Sequence, residues 1–140
     1  MKKPIEFCTK HRAKFSQIDS MKILNNEHYL SYFMEHRTSQ LRDRLGWNLD
    51  TIMTLPVLFV VEEVTIKYKR PIFGDSPFTI NSRVTEINRT DIFIGCEMTG
   101  DKGAIHSTCK MTVTAIEPKT MRPTDWPEDI IEKFYEESHS

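Results

Sequence analysis

After Pro56 the spacing of apolar residues changes from three-and-four to two, and it stays at two through residues 57–69, 76–88, 91–100 and 103–117. The breaks between these segments are short and rich in turn formers: 71–75 carries Pro71 and Gly74, 88–91 reads Asn-Arg-Thr-Asp, and 99–103 reads Thr-Gly-Asp-Lys-Gly. Links this short join antiparallel neighbours. Within each segment the apolar residues share one parity: Leu58, Val60, Val64, Ile66 and Tyr68; Phe78, Ile80 and Val84; Ile92, Ile94, Cys96 and Met98; Ile105, Cys109, Met111, Val113 and Ala115. Four strands with one apolar face each must bury those faces against a common partner.

The first third of the chain supplies that partner. Residues 5–18 alternate partially and read as a first strand with one wet face. Over 26–45, Tyr29, Tyr32, Phe33, Leu41 and Leu45 recur at helical spacing, with Ser31, Glu35, Ser39, Arg42 and Asp43 opposite. Gly46 stops this helix, and 48–55 reads as a turn or short helical piece. The expected class is α+β: a curved, antiparallel five-stranded sheet wrapped around one long central helix, in a single domain over 1–140. The tail, 118–140, is expected to run extended past Pro118, Pro123 and Pro127 and to close with a short helix over 128–137 that docks through Ile130, Ile131, Phe134 and Tyr135.

A chain of 140 residues holds one ordinary core and not two. Its 19 Lys and Arg nearly cancel 20 Asp and Glu, so no global field points to nucleic acid or an anionic membrane. No apolar run approaches the roughly 20 residues that span a bilayer, and no signal-peptide core follows Met1, so a cytoplasmic location is expected. Cys8, Cys96 and Cys109 lack paired spacing and read as small buried thiols on strands. His11, His28, His36, His106 and His139 show no metal-ligand pattern, so neither metal nor cofactor is expected, and no Gly-x-Ser-x-Gly elbow occurs.

The stretch 19–29, Asp-Ser-Met-Lys-Ile-Leu-Asn-Asn-Glu-His-Tyr, puts a carboxylate between the first strand and the helix. Asn25 or Asn26 is a good N-cap, and Glu27 suits the first turn, where the dipole favours negative charge. Asp19 is therefore a candidate nucleophile or base beside free helix-start amides, an arrangement suited to attack on a carbonyl.

The same stretch resembles the Asp-x-Met-Gly-His-Val-Asn-Asn-x-x-Tyr signature of the hot-dog-fold acyl-CoA thioesterases, the 4-hydroxybenzoyl-CoA thioesterase family. Asp19, Met21, Asn25, Asn26 and Tyr29 match in register. Lys22 stands where that family usually has Gly, a position tolerant of positive φ, and Ile23 where it often has His. The string 117–123 also resembles the family's exit from its last strand, extending the resemblance over about residues 5–133. It implies the hot-dog fold, and hydrolysis of an acyl-CoA to free acid and CoA. Asp19 would then be nucleophile or base, the Asn26 amide the carbonyl contact, and Asn25 a cap or water-orienting group. It further implies subunits paired through sheet edges, as a homodimer or homotetramer.

Other candidates follow. Tyr29, Tyr32 and Phe33 read first as core, with Tyr29 also bordering the expected substrate pocket. Glu62 has core parity, so either a β-bulge turns it out or it faces a cleft as a second acid/base group. Lys67, Lys69 and Arg70, with Arg89 and Thr90, are the cations and polar groups placed to grip a nucleotide phosphate. Two rival readings stay open: a non-catalytic protein of the same fold that binds acyl-CoA or a carboxylic ligand, and a purely structural dimer.

Overall fold

The structure is a computed structural model describing residues 1–138. His139 and Ser140, the last residues of the expected tail, lie outside the described residues. Strands β1 (Lys2–Pro4) and β2 (Phe7–Arg12) precede helices α1 (Tyr29–Leu45) and α2 (Leu49–Ile52); strands β3 (Leu58–Tyr68), β4 (Pro77–Ile87), β5 (Asp91–Gly100) and β6 (Ile105–Ile116) follow, then helix α3 (Glu128–Glu132) and strand β7 (Tyr135–Glu137). Five strands form one antiparallel sheet in the order β2-β4-β5-β6-β3, and β1 pairs with β7 in a separate two-stranded ribbon. The sheet packs around α1, and this is the hot-dog fold.

Helix α1 continues from a 3-10 turn, Asn26–His28, capped where Asn25 Oδ1 accepts the Glu27 N–H at 3.2 Å. It ends at Gly46, whose φ of 73° suits a residue without Cβ, and the Trp47 N–H returns to the Leu41 carbonyl at 2.9 Å. That closure drops Trp47 into the core, edge-on to Phe59 and Phe134. Around α1 the core falls into two apolar clusters. One gathers Tyr29, Phe33, Leu24, Ile72, Ile80 and Met98 near the helix start. The other gathers Leu41, Trp47, Val57, Trp126, Ile130 and Phe134 near its end.

Four expectations need correction. The first strand stops at Arg12 rather than running to residue 18, because Ala13 turns into the core and Phe15–Gln17 forms a 3-10 turn closed by the Gln17 N–H on the Lys14 carbonyl. The tail helix closes at Glu132, and Tyr135–Glu137 pair as a strand with the chain start. Cys8 is exposed, since on β2 it alternates with the inward Phe7, whereas Cys96 and Cys109 are buried cross-strand partners.

The fourth concerns β3. Its register against β6 shifts between Val61 and Glu63, so Glu62 is a bulge residue. The extra residue reverses parity: Val57, Phe59 and Val61 face the core before it, Val64 and Ile66 after it, and Leu58 and Val60 are exposed.

Candidate active site

Asp19 sits in a tight loop between the 3-10 turn at Phe15–Gln17 and the start of α1. Ile18 and Leu24 bridge as antiparallel partners, the Asp19 N–H donates to the Ile23 carbonyl at 3.0 Å, and the Lys22 N–H donates to the Asp19 carbonyl at 3.0 Å. Within the turn, Asp19 Oδ1 accepts the Met21 N–H at 2.8 Å, a local bond that Asp makes readily. Its other carboxylate oxygen has no partner among the described residues. Lys22 adopts φ 65°, the left-handed conformation for which glycine is best suited, and its side chain is exposed.

The loop is fastened on both sides. The Asn25 N–H donates to the Gln17 carbonyl at 3.0 Å, the Leu24 N–H to Ile72 at 2.8 Å, and the Gly74 N–H to Lys22 at 2.9 Å. The Glu27 N–H goes to Asn25 Oδ1 and the His28 N–H to the Asn25 carbonyl, while the Asn26 N–H finds no acceptor among the described residues. A half-buried carboxylate and an unoccupied amide at the positive end of a helix thus occupy neighbouring arms of one pinned loop. Such a pair can attack a carbonyl carbon and polarise its oxygen.

The remaining candidates divide by position. Tyr29 is 2 % exposed and packs edge-on against Tyr68 at 5.0 Å, while the Tyr68 hydroxyl donates to the Asn26 carbonyl at 3.3 Å; Tyr29 shores up the helix start from beneath. Burial raises its phenol pKa, a tendency partly offset by a backbone hydrogen bond from Ile72. Lys69 and Arg70 follow β3 at this same end, their N–H groups donating to the His106 carbonyl at 2.9 and 3.1 Å, and line an open concavity with Lys102 and Ile105. Arg89 and Thr90 lie at the other end of the sheet, where Arg89 pairs with Asp125 at 3.1 Å. The length of β4 and β5 sets the two groups roughly 30 Å apart. Glu62 is turned out by its bulge and accepts the Thr114 hydroxyl at 2.6 Å, a hydroxyl equally close to Asp91.

Polar residues inside the fold escape a reading based on the apolar stripe. His36 is 1 % exposed under the middle of α1; its Nε2 meets Ser82 Oγ at 2.6 Å and its Nδ1 meets Thr9 Oγ1 at 2.7 Å, and Thr9 also meets His11 Nε2 at 2.6 Å. Burial first, and then the neighbouring His11, lower the His36 pKa to about 4. Arg37, Gln40, His36 and Ser82 border a partly open, mostly apolar cleft between the two apolar clusters. Their helical phase was visible: 36, 37 and 40 fall on the stripe that runs from Tyr29 and Phe33 to Leu41.

Three likenesses bear on this arrangement. A protein of Staphylococcus aureus solved in complex with CoA superimposes with a TM-score of 0.83 at 16% identity, covering 93% of this chain and 82% of that one. The DHNA-CoA thioesterase of S. aureus gives 0.78 at 19% identity, covering 92% and 88%. At these identities the likeness is one of fold. A curated protein of Aquifex aeolicus named "Putative esterase" is 26% identical over 83 residues, 59% of this chain; the match spans 64% of that relative's length. The sequence profile of the thioesterase-like superfamily matches residues 13–134, from the turn ahead of Asp19 to the last core residue of the tail, and the chain belongs to that superfamily.

Proposed function

We propose that the protein hydrolyses the thioester of a small-molecule acyl-CoA to free acid and CoA, with Asp19 as nucleophile or general base and the Asn26 amide polarising the carbonyl. The observation that carries this reading is that the Asp19 carboxylate, with one oxygen unengaged among the described residues, and the Asn26 N–H, which likewise lacks an acceptor there, belong to one loop pinned by five backbone hydrogen bonds described above. Asn25 holds the amide still by capping the turn. Lys22 points its side chain to solvent, which supports turnover over the rival reading of an acyl-CoA binder whose loop blocks the thioester.

Lys69 and Arg70 are placed to meet the nucleotide phosphates at this end of the sheet. Arg89 and Thr90 reach the same ligand only if a second subunit brings them, and Phe15, Met21 and Phe73, at 95, 75 and 62 % exposure around the loop, suit a surface that another subunit covers. A homodimer or homotetramer with sites between subunits accommodates both facts. Among the described residues no helix is long and apolar enough to cross a membrane.

Thiol release from short, long and aromatic acyl-CoAs tests the proposal. Asp19→Asn keeps an oxygen for the Met21 N–H and so preserves the loop, yet loses the charge; the expected fall in kcat is on the order of 10²–10⁴-fold. Undiminished turnover in Asp19→Asn would remove Asp19 from the chemistry. Tight binding of CoA esters without turnover by the wild type would leave the binding reading in place.

A further inference from the structure

Two histidines share one hydroxyl. Thr9 of β2 stands between them, its Oγ1 2.6 Å from His11 Nε2 and 2.7 Å from His36 Nδ1, and the other ring nitrogen of His36 meets Ser82 Oγ of β4 at 2.6 Å. An unbroken hydrogen-bond chain thus runs from the half-buried His11 on the edge strand, through the buried His36 of α1, to Ser82. Thr9 has a single hydroxyl proton, and a neutral imidazole has one donor and one acceptor nitrogen. Whichever ring Thr9 donates to, it must accept from the other, so with both rings neutral every bond in the chain points the same way.

In one direction Ser82 donates to His36, His36 Nδ1–H to Thr9, and Thr9 to His11 Nε2, and the donor left over is the Nδ1–H of the half-buried His11. In the other, His11 Nε2–H donates to Thr9, Thr9 to His36 Nδ1, and His36 Nε2–H to Ser82. The donor left over is then the hydroxyl of Ser82, a residue 7 % exposed that has no acceptor besides His36 among the described residues. An unpaired donor costs less on the more exposed residue, so the neutral chain runs towards His11. A protonated His11 removes the choice, because both of its nitrogens are donors. We propose that protonation of His11 reverses the chain, so that Thr9 turns its hydroxyl to His36, His36 exchanges its Nδ1–H tautomer for Nε2–H, and the Ser82 hydroxyl is released from His36. One proton enters from solvent, and the chain then holds two on His11 and one each on Thr9, His36 Nε2 and Ser82. Burial opposes charge on His11 and Glu35 of α1 favours it, while Tyr32 of α1 stands edge-on to its ring and Phe78 of β4 stacks on it at 5.4 Å. Arg37 of α1 borders the cleft shared by His36 and Ser82. Burial and a charge on His11 both disfavour a charge on His36, so the rings take protons one at a time and His11 leads. The switch does not rest on the proposed hydrolysis.

Ring-nitrogen NMR shifts of both histidines, followed from neutral pH down through the His11 titration, test this in the wild type, Thr9→Val and Thr9→Ser. In the wild type His36 is expected to pass from Nδ1–H to Nε2–H with the same midpoint as His11 protonation, and at higher pH than its own protonation. Thr9→Val, close in shape but without the hydroxyl, should leave His11 titrating and the His36 tautomer unchanged over that range, and Thr9→Ser should restore the exchange. Should Thr9→Val fail to fold, His11→Phe, in which nothing titrates at that end, should hold His36 in one tautomer. A wild-type His36 that keeps one tautomer while His11 titrates would overturn the proposal. So would an exchange that persists in Thr9→Val or in His11→Phe, or one that is absent from a folded Thr9→Ser.

Discussion

Lys22 shows how a single backbone angle can override a residue's preference. The loop that carries Asp19 needs one left-handed residue, and the chain meets that need with a lysine at φ 65°. A side chain at such an angle costs about 1 kcal/mol relative to glycine, so Lys22→Gly should raise stability by up to about 1 kcal/mol, read from the urea midpoint. The reverse holds at Gly46, φ 73°: Gly46→Ala should lower stability by about 1 kcal/mol in the same assay. His36 makes a pH-dependent contribution. Its folded pKa of about 4 lies below the ordinary 6.5, so between these values the unfolded chain binds the extra proton and the native one does not. Stability is full above pH 6.5 and falls as pH drops towards 4, by about 3 kcal/mol from this group, with His11 depressed in the same direction by burial. Denaturant titrations across that range should show the slope flatten in His36→Gln. The loop that carries Asp19, Asn25 and Asn26 was legible because its geometry is local: a turn, a cap and a helix start within eleven residues.

Along the elements, legibility followed periodicity and failed where the period slips. The spans of α1, β4, β5 and β6 agree with the sequence reading to within three residues, because turn chemistry marks their ends. On β3 the alternation assigns Leu58 and Val60 to the core, and the bulge at Glu62 exchanges them for Phe59 and Val61. One unpaired residue reverses the faces, and neither the charge of Glu62 nor its parity says whether the strand bends there. Phe59 stands edge-on to both Trp47 and Trp126, at 5.6 and 4.8 Å between ring centroids. Phe59→Ala should therefore cost about 3–5 kcal/mol in equilibrium unfolding, far more than a truncation at an exposed β3 position. On α1 the stripe positions 36, 37 and 40 carry His, Arg and Gln, which a hydropathy pattern skips although their phase points inward.

For the whole molecule the open question is the sheet edge. β3 is the last strand of its sheet, eleven residues long, with Leu58, Val60 and Tyr68 between 38 and 49 % exposed. An edge of that length is a template for a second chain. Sedimentation equilibrium at micromolar concentration is expected to give at least a dimer mass, with Leu58→Lys combined with Val60→Lys shifting it towards the monomer; a monomeric wild type would sink the expectation. The residues proposed to grip CoA also depend on this scale, since one chain places Lys69 and Arg70 beside the Asp19 loop and Arg89 and Thr90 at the far end of the sheet. Sequence by itself determined the order of strand, long helix and four strands, the five-stranded sheet around that helix, and the loop holding Asp19, because periods of two and 3.6, prolines, glycines and caps act over neighbouring residues. Tertiary structure alone decided which face of β3 is buried, which turn lies at which end, and that residues of α1 and Trp126 of the tail line one cleft. Each of these depends on strand register and packing between residues distant in the chain, which local periodicity does not encode.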